Sequence, residues 1–168
     1  MQKIVSLDYI DNSSVCCFNR TWQDVPMWAH YDENHTDYCL GFRFEDGWSE
    51  HAIPIEVDYV LDRPKIDLSL DTKRNRGAAD QFVRDALLSK SVHWQREDEV
   101  RLVRCGVPAG HFEFPVEALQ ELILGYRISA ENRNRLLALV DRRPLPLRVY
   151  KLKPHYERYE FEAEPLRP

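Results

Sequence analysis

From residue 38 to 44 the chain alternates strictly. Tyr38, Leu40, Phe42 and Phe44 fall on one side, Cys39, Gly41 and Arg43 on the other. A period of two belongs to a strand with one face against a core. Ile53, Ile55, Val57 and Tyr59 repeat the pattern after the turn-forming Glu45-Asp46-Gly47, so the two segments are expected to pair as an antiparallel hairpin. Residues 15–18 read as a short buried strand, 122–124 as a short apolar strand, and 147–153 with 156–162 as a closing hairpin. Asp24 is placed to cap a helix that accepts Pro26 in its first turn and runs to about residue 34. Met27, Trp28 and Tyr31 stand three and four apart and share a face of it. A second helix is expected over 78–90, burying Phe82, Val83, Ala86 and Leu87. A third is capped by Ser129, carries Leu136, Leu139 and Val140, and stops at Arg142-Arg143-Pro144. Residues 63–77 are charged and patternless, a surface loop, and Gly106, Pro108 and Gly110 break the chain. The fold class is therefore α+β, a mostly antiparallel mixed sheet with inserted helices. A chain of 168 residues, 43% of them hydrophobic, fits one domain with one core over 1–168.

The net charge is −5, with Lys and Arg scattered along the chain, which argues against a broad nucleic-acid footprint. No apolar run approaches the ~20 residues of a membrane helix, and the first residues lack a basic stretch followed by an apolar core. A cytoplasmic protein that does not enter the membrane is expected. Cys16, Cys17, Cys39 and Cys105 show no C-x-x-C spacing. They read as buried, reduced thiols, and no spacing supports a metal site with His30, His35 or His111.

The chemistry concentrates in one stretch, Lys90-Ser-Val-His-Trp94-Gln-Arg-Glu97-Asp-Glu99-Val-Arg101-Leu. On a strand, Glu97, Glu99 and Arg101 would share a face. Three ions on one face of a half-buried strand imply that the face is wet or does chemistry, which makes this strand the candidate working edge. The bland account is an ion pair at a solvated edge. The acidic residues of 56–58 and 62–67 suggest a metal nuclease, but no Glu-x-Lys follows. Nor is there a Gly-rich phosphate loop or a G-x-S-x-G elbow.

The order Cys17-Phe18, Met27-Trp28-Ala29-His30-Tyr31, Gly41-Phe42, then the Lys90 to Arg101 motif, then Leu122-Ile-Leu-Gly-Tyr-x-Ile-Ser129, resembles a bacterial family of unknown function, DUF2971. The resemblance runs from about residue 15 to about 151. That family occurs in settings associated with phage defence, and its members look similar to ADP-ribosyltransferases that use a histidine, a tyrosine and a glutamate. The resemblance implies NAD as cosubstrate, with Glu99 as the catalytic carboxylate and Glu97 assisting. Tyr31 would stack on the nicotinamide, supported by Trp28 and Arg101. The family's N-terminal His-Tyr-Thr block has no counterpart here, so the implied core is one truncated at its N-terminus. The partner would be an unknown macromolecular acceptor, or a partner chain supplying the missing strand, and the sheet edge left bare would invite a homodimer.

A second reading stands beside this one: a non-catalytic remnant or protein-interaction module of the same fold. The missing histidine favours it. Met27, Trp28 and Tyr31 then form only the core face of a helix. His93 and Trp94 lead into the Glu99 strand and either line its cleft or pack.

Overall fold

The computed structural model describes residues 12–31, 35–44, 53–65, 81–104 and 107–167. In chain order these form β1 (Ser14–Asn19), α1 (Val25–Tyr31), β2 (Tyr38–Phe42), β3 (Ile53–Glu56), β4 (Asp58–Val60), a π-helical turn (Arg84–Leu88), β5 (Ser89–Ser91), a 3-10 helix (Val92–Glu97), β6 (Glu99–Arg104), a 3-10 turn (Val116–Ala118), β7 (Leu119–Leu124), α2 (Ala130–Val140), β8 (Arg148–Pro154) and β9 (Phe161–Arg167). Helices and antiparallel-dominated sheets make this an α+β protein, as expected. The chain divides into two compact units, one of Met1–Arg20 and Ser49–Glu113, the other of Thr21–Trp48 and Phe114–Pro168.

The first unit is built on β6. Its order is β1-β6-β3, with both neighbours antiparallel to the centre. Val100, Leu102 and Val103 are all buried, so both faces of β6 carry apolar contacts. The expected working edge is thus a central strand. A second, two-stranded sheet pairs β4 with β5 in parallel, setting Tyr59 beside Lys90. The expected helix of 78–90 is cut short. Residues 81–83 are helical, the next turn widens to a π-helix, and Ser89 is already extended. The wider turn buries Leu88 at 1% exposure, while Leu87 is only partly covered. Residues 78–80 lie outside the described residues.

The second unit is a four-stranded sheet of order β2-β7-β8-β9. The apolar run Leu122-Ile123-Leu124 is long enough to serve both faces. Leu122 and Leu124 pack with Ile128, Leu147 and Val149 and with Leu136, Leu137 and Val140 of α2. Ile123 points the other way, to Trp28, Leu152 and Phe161. A strand covered on both faces reads as continuous rather than alternating hydrophobicity. Here α2 covers one face and α1 supplies Trp28 to the other. Ser129 caps α2 as expected, its Oγ accepting from the Asn132 amide at 3.1 Å. The β8–β9 hairpin also forms, although its second strand begins at Phe161 and leaves Tyr156 and Tyr159 on the turn.

The hairpin of 38–44 with 53–59 does not form. β2 pairs with β7, and β3 pairs with β6. Alternation specifies which face is apolar but not which strand lies alongside, and long-range partners with deeper apolar surface take both segments. The turn expected at Glu45-Asp46-Gly47 lies outside the described residues, as does most of the loop expected at 63–77.

Candidate functional site

Four of the residues singled out from sequence, or their immediate partners, converge in the first unit. Lys90 leaves β5 and donates from Nζ to Oε2 of Glu99 at 2.7 Å and to Oε2 of Glu97. Arg101 stands two residues along β6 from Glu99 on the same face. It donates from Nε to Glu99 Oε1 at 2.6 Å and from Nη2 to Oε2 at 3.3 Å. Its Nη1 reaches the Leu87 carbonyl at 2.5 Å, tying the strand to the π-helical turn. Register adds a fifth member: Cys17 on β1 lies directly opposite Arg101, and its thiol hydrogen-bonds Glu99. The Tyr59 hydroxyl accepts from the Glu99 amide at 2.8 Å.

Glu97 reaches this cluster by another route than the one expected. It closes the 3-10 helix and does not lie on the strand. Asp98, between the two glutamates, adopts φ 44°, and its amide donates to the Gln95 carbonyl at 3.2 Å. A left-handed residue at a helix end reverses the chain, and Asp tolerates that conformation better than most side chains. The turn, not a shared strand face, brings Glu97 to Lys90. Nor is the face wet: Glu97 is 5% exposed and Glu99 3%.

Two cations held close to two carboxylates leave the cluster near neutral. Burial alone would raise the Glu99 pKa, but hydrogen bonds from Arg101, Cys17 and Lys90 outweigh it and bring the group to about 2. Lys90 follows the same logic with opposite sign: burial works to lower its pKa, and the bonds to Glu97 and Glu99 raise it. Partial desolvation of the thiol against the sheet, then the hydrogen bond to Glu99 and its charge, push Cys17 up to about 11 even though the residue as a whole is exposed. Such a thiol is protonated near neutral pH and is a poor nucleophile. The expectation of buried cysteines is corrected: Cys16 and Cys17 are exposed on an outer strand, and Cys39 is half-buried. Cys105 lies outside the described residues.

The aromatic candidates fall elsewhere. Trp28 and Tyr31 belong to the second unit. Trp28 is 4% exposed, packed with Ile123, Leu152 and Phe161, and its indole N–H donates to the Trp22 carbonyl at 2.6 Å. Tyr31, on the last turn of the helix, is 66% exposed. Beside the charge cluster stand Tyr59 and Trp94, the latter with its ring centroid 5.5 Å from Lys90 Nζ. The four-residue interval between Lys90 and Trp94 was the available signal. Nothing in the sequence linked Cys17 or Tyr59 to Glu99: strand register brings Cys17 there, and a long-range hydrogen bond from the Glu99 amide brings Tyr59.

Among the described residues no group of three or more His, Cys, Asp or Glu is arranged to hold a metal ion. Nor is any described helix long and apolar enough to cross a membrane. The site is therefore a buried carboxylate–cation cluster in an α+β scaffold. Residues 27–102 match the model of a family described as a protein of unknown function, DUF2971. That span takes in both the Met27–Tyr31 and the Lys90–Arg101 segments, which supports the resemblance carried by those motifs. No curated protein and no solved structure gives a significant match.

Proposed function

We propose that this chain is an ADP-ribosyltransferase-like domain, of the kind associated with phage defence, which uses NAD and in which Glu99 is the fixed negative charge of the site. One observation carries the reading: Glu99 sits between the Arg101 guanidinium at 2.6 Å and the Lys90 ammonium at 2.7 Å, which hold its carboxyl well below the usual range, at about 2. A carboxylate so depressed is a poor proton donor or acceptor near neutrality. It suits stabilisation of a cationic sugar, because the charge is already in place when the cation develops. In the reaction the bond between ribose C1′ and the nicotinamide nitrogen breaks, and the electron pair leaves with nicotinamide. A nucleophile on the macromolecular acceptor bonds to C1′ and releases its proton to solvent water. Arg101 and Lys90 hold the Glu99 carboxylate in place, and Lys90 bridges it to Glu97.

A second reading is favoured by a specific observation. Both Glu99 oxygens already accept bonds from cations, and the residue is 3% exposed. A non-catalytic module of the same fold would use such a cluster only to fasten β1, β5 and β6.

The test is release of nicotinamide from NAD by the purified chain, with and without added acceptor protein. The enzymatic reading expects turnover in wild type and its loss in Glu99→Gln, with Glu99→Asp, which keeps the charge but withdraws it, intermediate. Circular dichroism of each variant confirms that it is folded. No NAD binding and no turnover by the folded wild-type chain would leave the non-catalytic module.

A further inference from the structure

We propose that Trp94 is the stacking surface for the ring of the nucleotide that sits next to the Glu97–Lys90–Glu99 charges. This rests on the NAD reading above and names a contact within it. Three observations converge on the indole. Trp94 shares the unit of the charge cluster, whereas Trp28 and Tyr31 belong to the other. Lys90, which bridges both glutamates, lies 5.5 Å from the ring centroid, so the indole is anchored to the carboxylates by a single side chain. Despite that anchoring, Trp94 is 45% exposed, while Glu97 and Glu99, to which Lys90 bonds, are almost fully buried.

A large aromatic ring half in solvent, in contact with the lysine of a buried ion cluster, is costly in apolar exposure and well suited to one ligand chemistry. An electron-rich indole attracts a flat ring that is cationic or electron-poor, by stacking and by its quadrupole. The 3-10 helix fixes the indole's position: Ser91 Oγ accepts from the His93 amide at 3.4 Å at its start, and Asp98 closes its end. A pre-positioned ring loses little freedom on binding. Nicotinamide and adenine are both flat rings of NAD, and the shared requirement is a planar heteroaromatic base joined to ribose.

The experiment measures affinity by isothermal titration for NAD, nicotinamide mononucleotide and AMP against wild type, Trp94→Leu and Trp94→Phe, with Tyr156→Ser on the exposed hairpin turn as control. Trp94→Leu is expected to weaken NAD and one of the two mononucleotides by roughly tenfold or more, the range for loss of one stacking partner. Trp94→Phe should recover most of that affinity, which a packing defect would not allow. The mononucleotide that suffers identifies the ring. Unchanged affinity in a folded Trp94→Leu, or equal loss for both mononucleotides without rescue by Phe, would overturn the assignment while leaving the NAD reading standing. Absence of NAD binding by wild type would overturn that reading first, and this one with it.

Discussion

At the scale of single residues, Glu99 dominates. Its neighbours are two cations and a thiol, and its pKa lies near 2 against an ordinary 4.5. A carboxylate depressed by folding stabilises the native state above the ordinary value, and that contribution is lost as pH falls through the folded one. Stability measured by urea unfolding should therefore decline as pH drops from about 4.5 towards about 2, and Glu99→Gln should flatten that part of the profile. The same variant should be less stable near neutrality, since it leaves the half-buried Arg101 without its carboxylate while Lys90 keeps Glu97, a loss below the ~3–5 kcal/mol of a fully buried pair broken on one side. An unaltered acid profile in Glu99→Gln would mean that other carboxylates control it. Three members of this cluster, Glu97, Glu99 and Arg101, were legible from their alternate spacing, although Glu97 arrives by a turn, and Lys90, Cys17 and Tyr59 join it through tertiary contacts. The cluster's burial was not legible, because spacing on a strand says which residues share a face and nothing about what covers that face.

At the scale of elements, local signals worked where a short segment decides its own conformation. Ser129 caps α2 through its own hydroxyl, and the chain needs no distant partner to choose that start. Ser129→Ala should cost about 1 kcal/mol in urea unfolding, and Ser129→Asp should stay within about half of that from wild type. A loss well above the range would show the residue serving more than the cap. Local signals failed at 84–88 and at 92–97. The sequence pattern reads as a helix running into a strand, whereas the chain takes a π-helical turn, three extended residues, and a 3-10 helix ended by left-handed Asp98. Those irregular turns put Leu88 under cover and deliver Lys90 and Glu97 to Glu99. Wide turns and strained residues gather where tertiary contacts fix a polar group, and a periodicity argument smooths over them.

At the scale of the molecule, each unit has its own sheet, and the described apolar contacts are densest in the second. Leu124 and Val149 are fully buried, and Leu152 is 1% exposed. Amide exchange should be slowest in β7 and β8, which have partners on both sides, and faster in β1, an outer strand of its sheet with exposed side chains. Leu152→Ala should cost about 2–5 kcal/mol. If β1 proved as protected as β7, its edge position in this sheet would be wrong.

What the sequence determined by itself is the strands and caps that a short segment decides alone, such as β2, β7 and the start of α2, and the charged residues Glu97, Glu99 and Arg101 as the place where the chemistry gathers. Alternation, caps and apolar runs express preferences of neighbouring residues for one another, so they can be read along the chain. The tertiary structure alone decided partnership: β2 with β7, β3 with β6, Cys17 opposite Arg101, and Trp94 over Lys90. Strand pairing is settled by the total apolar surface that distant segments can cover together, a quantity no single segment contains.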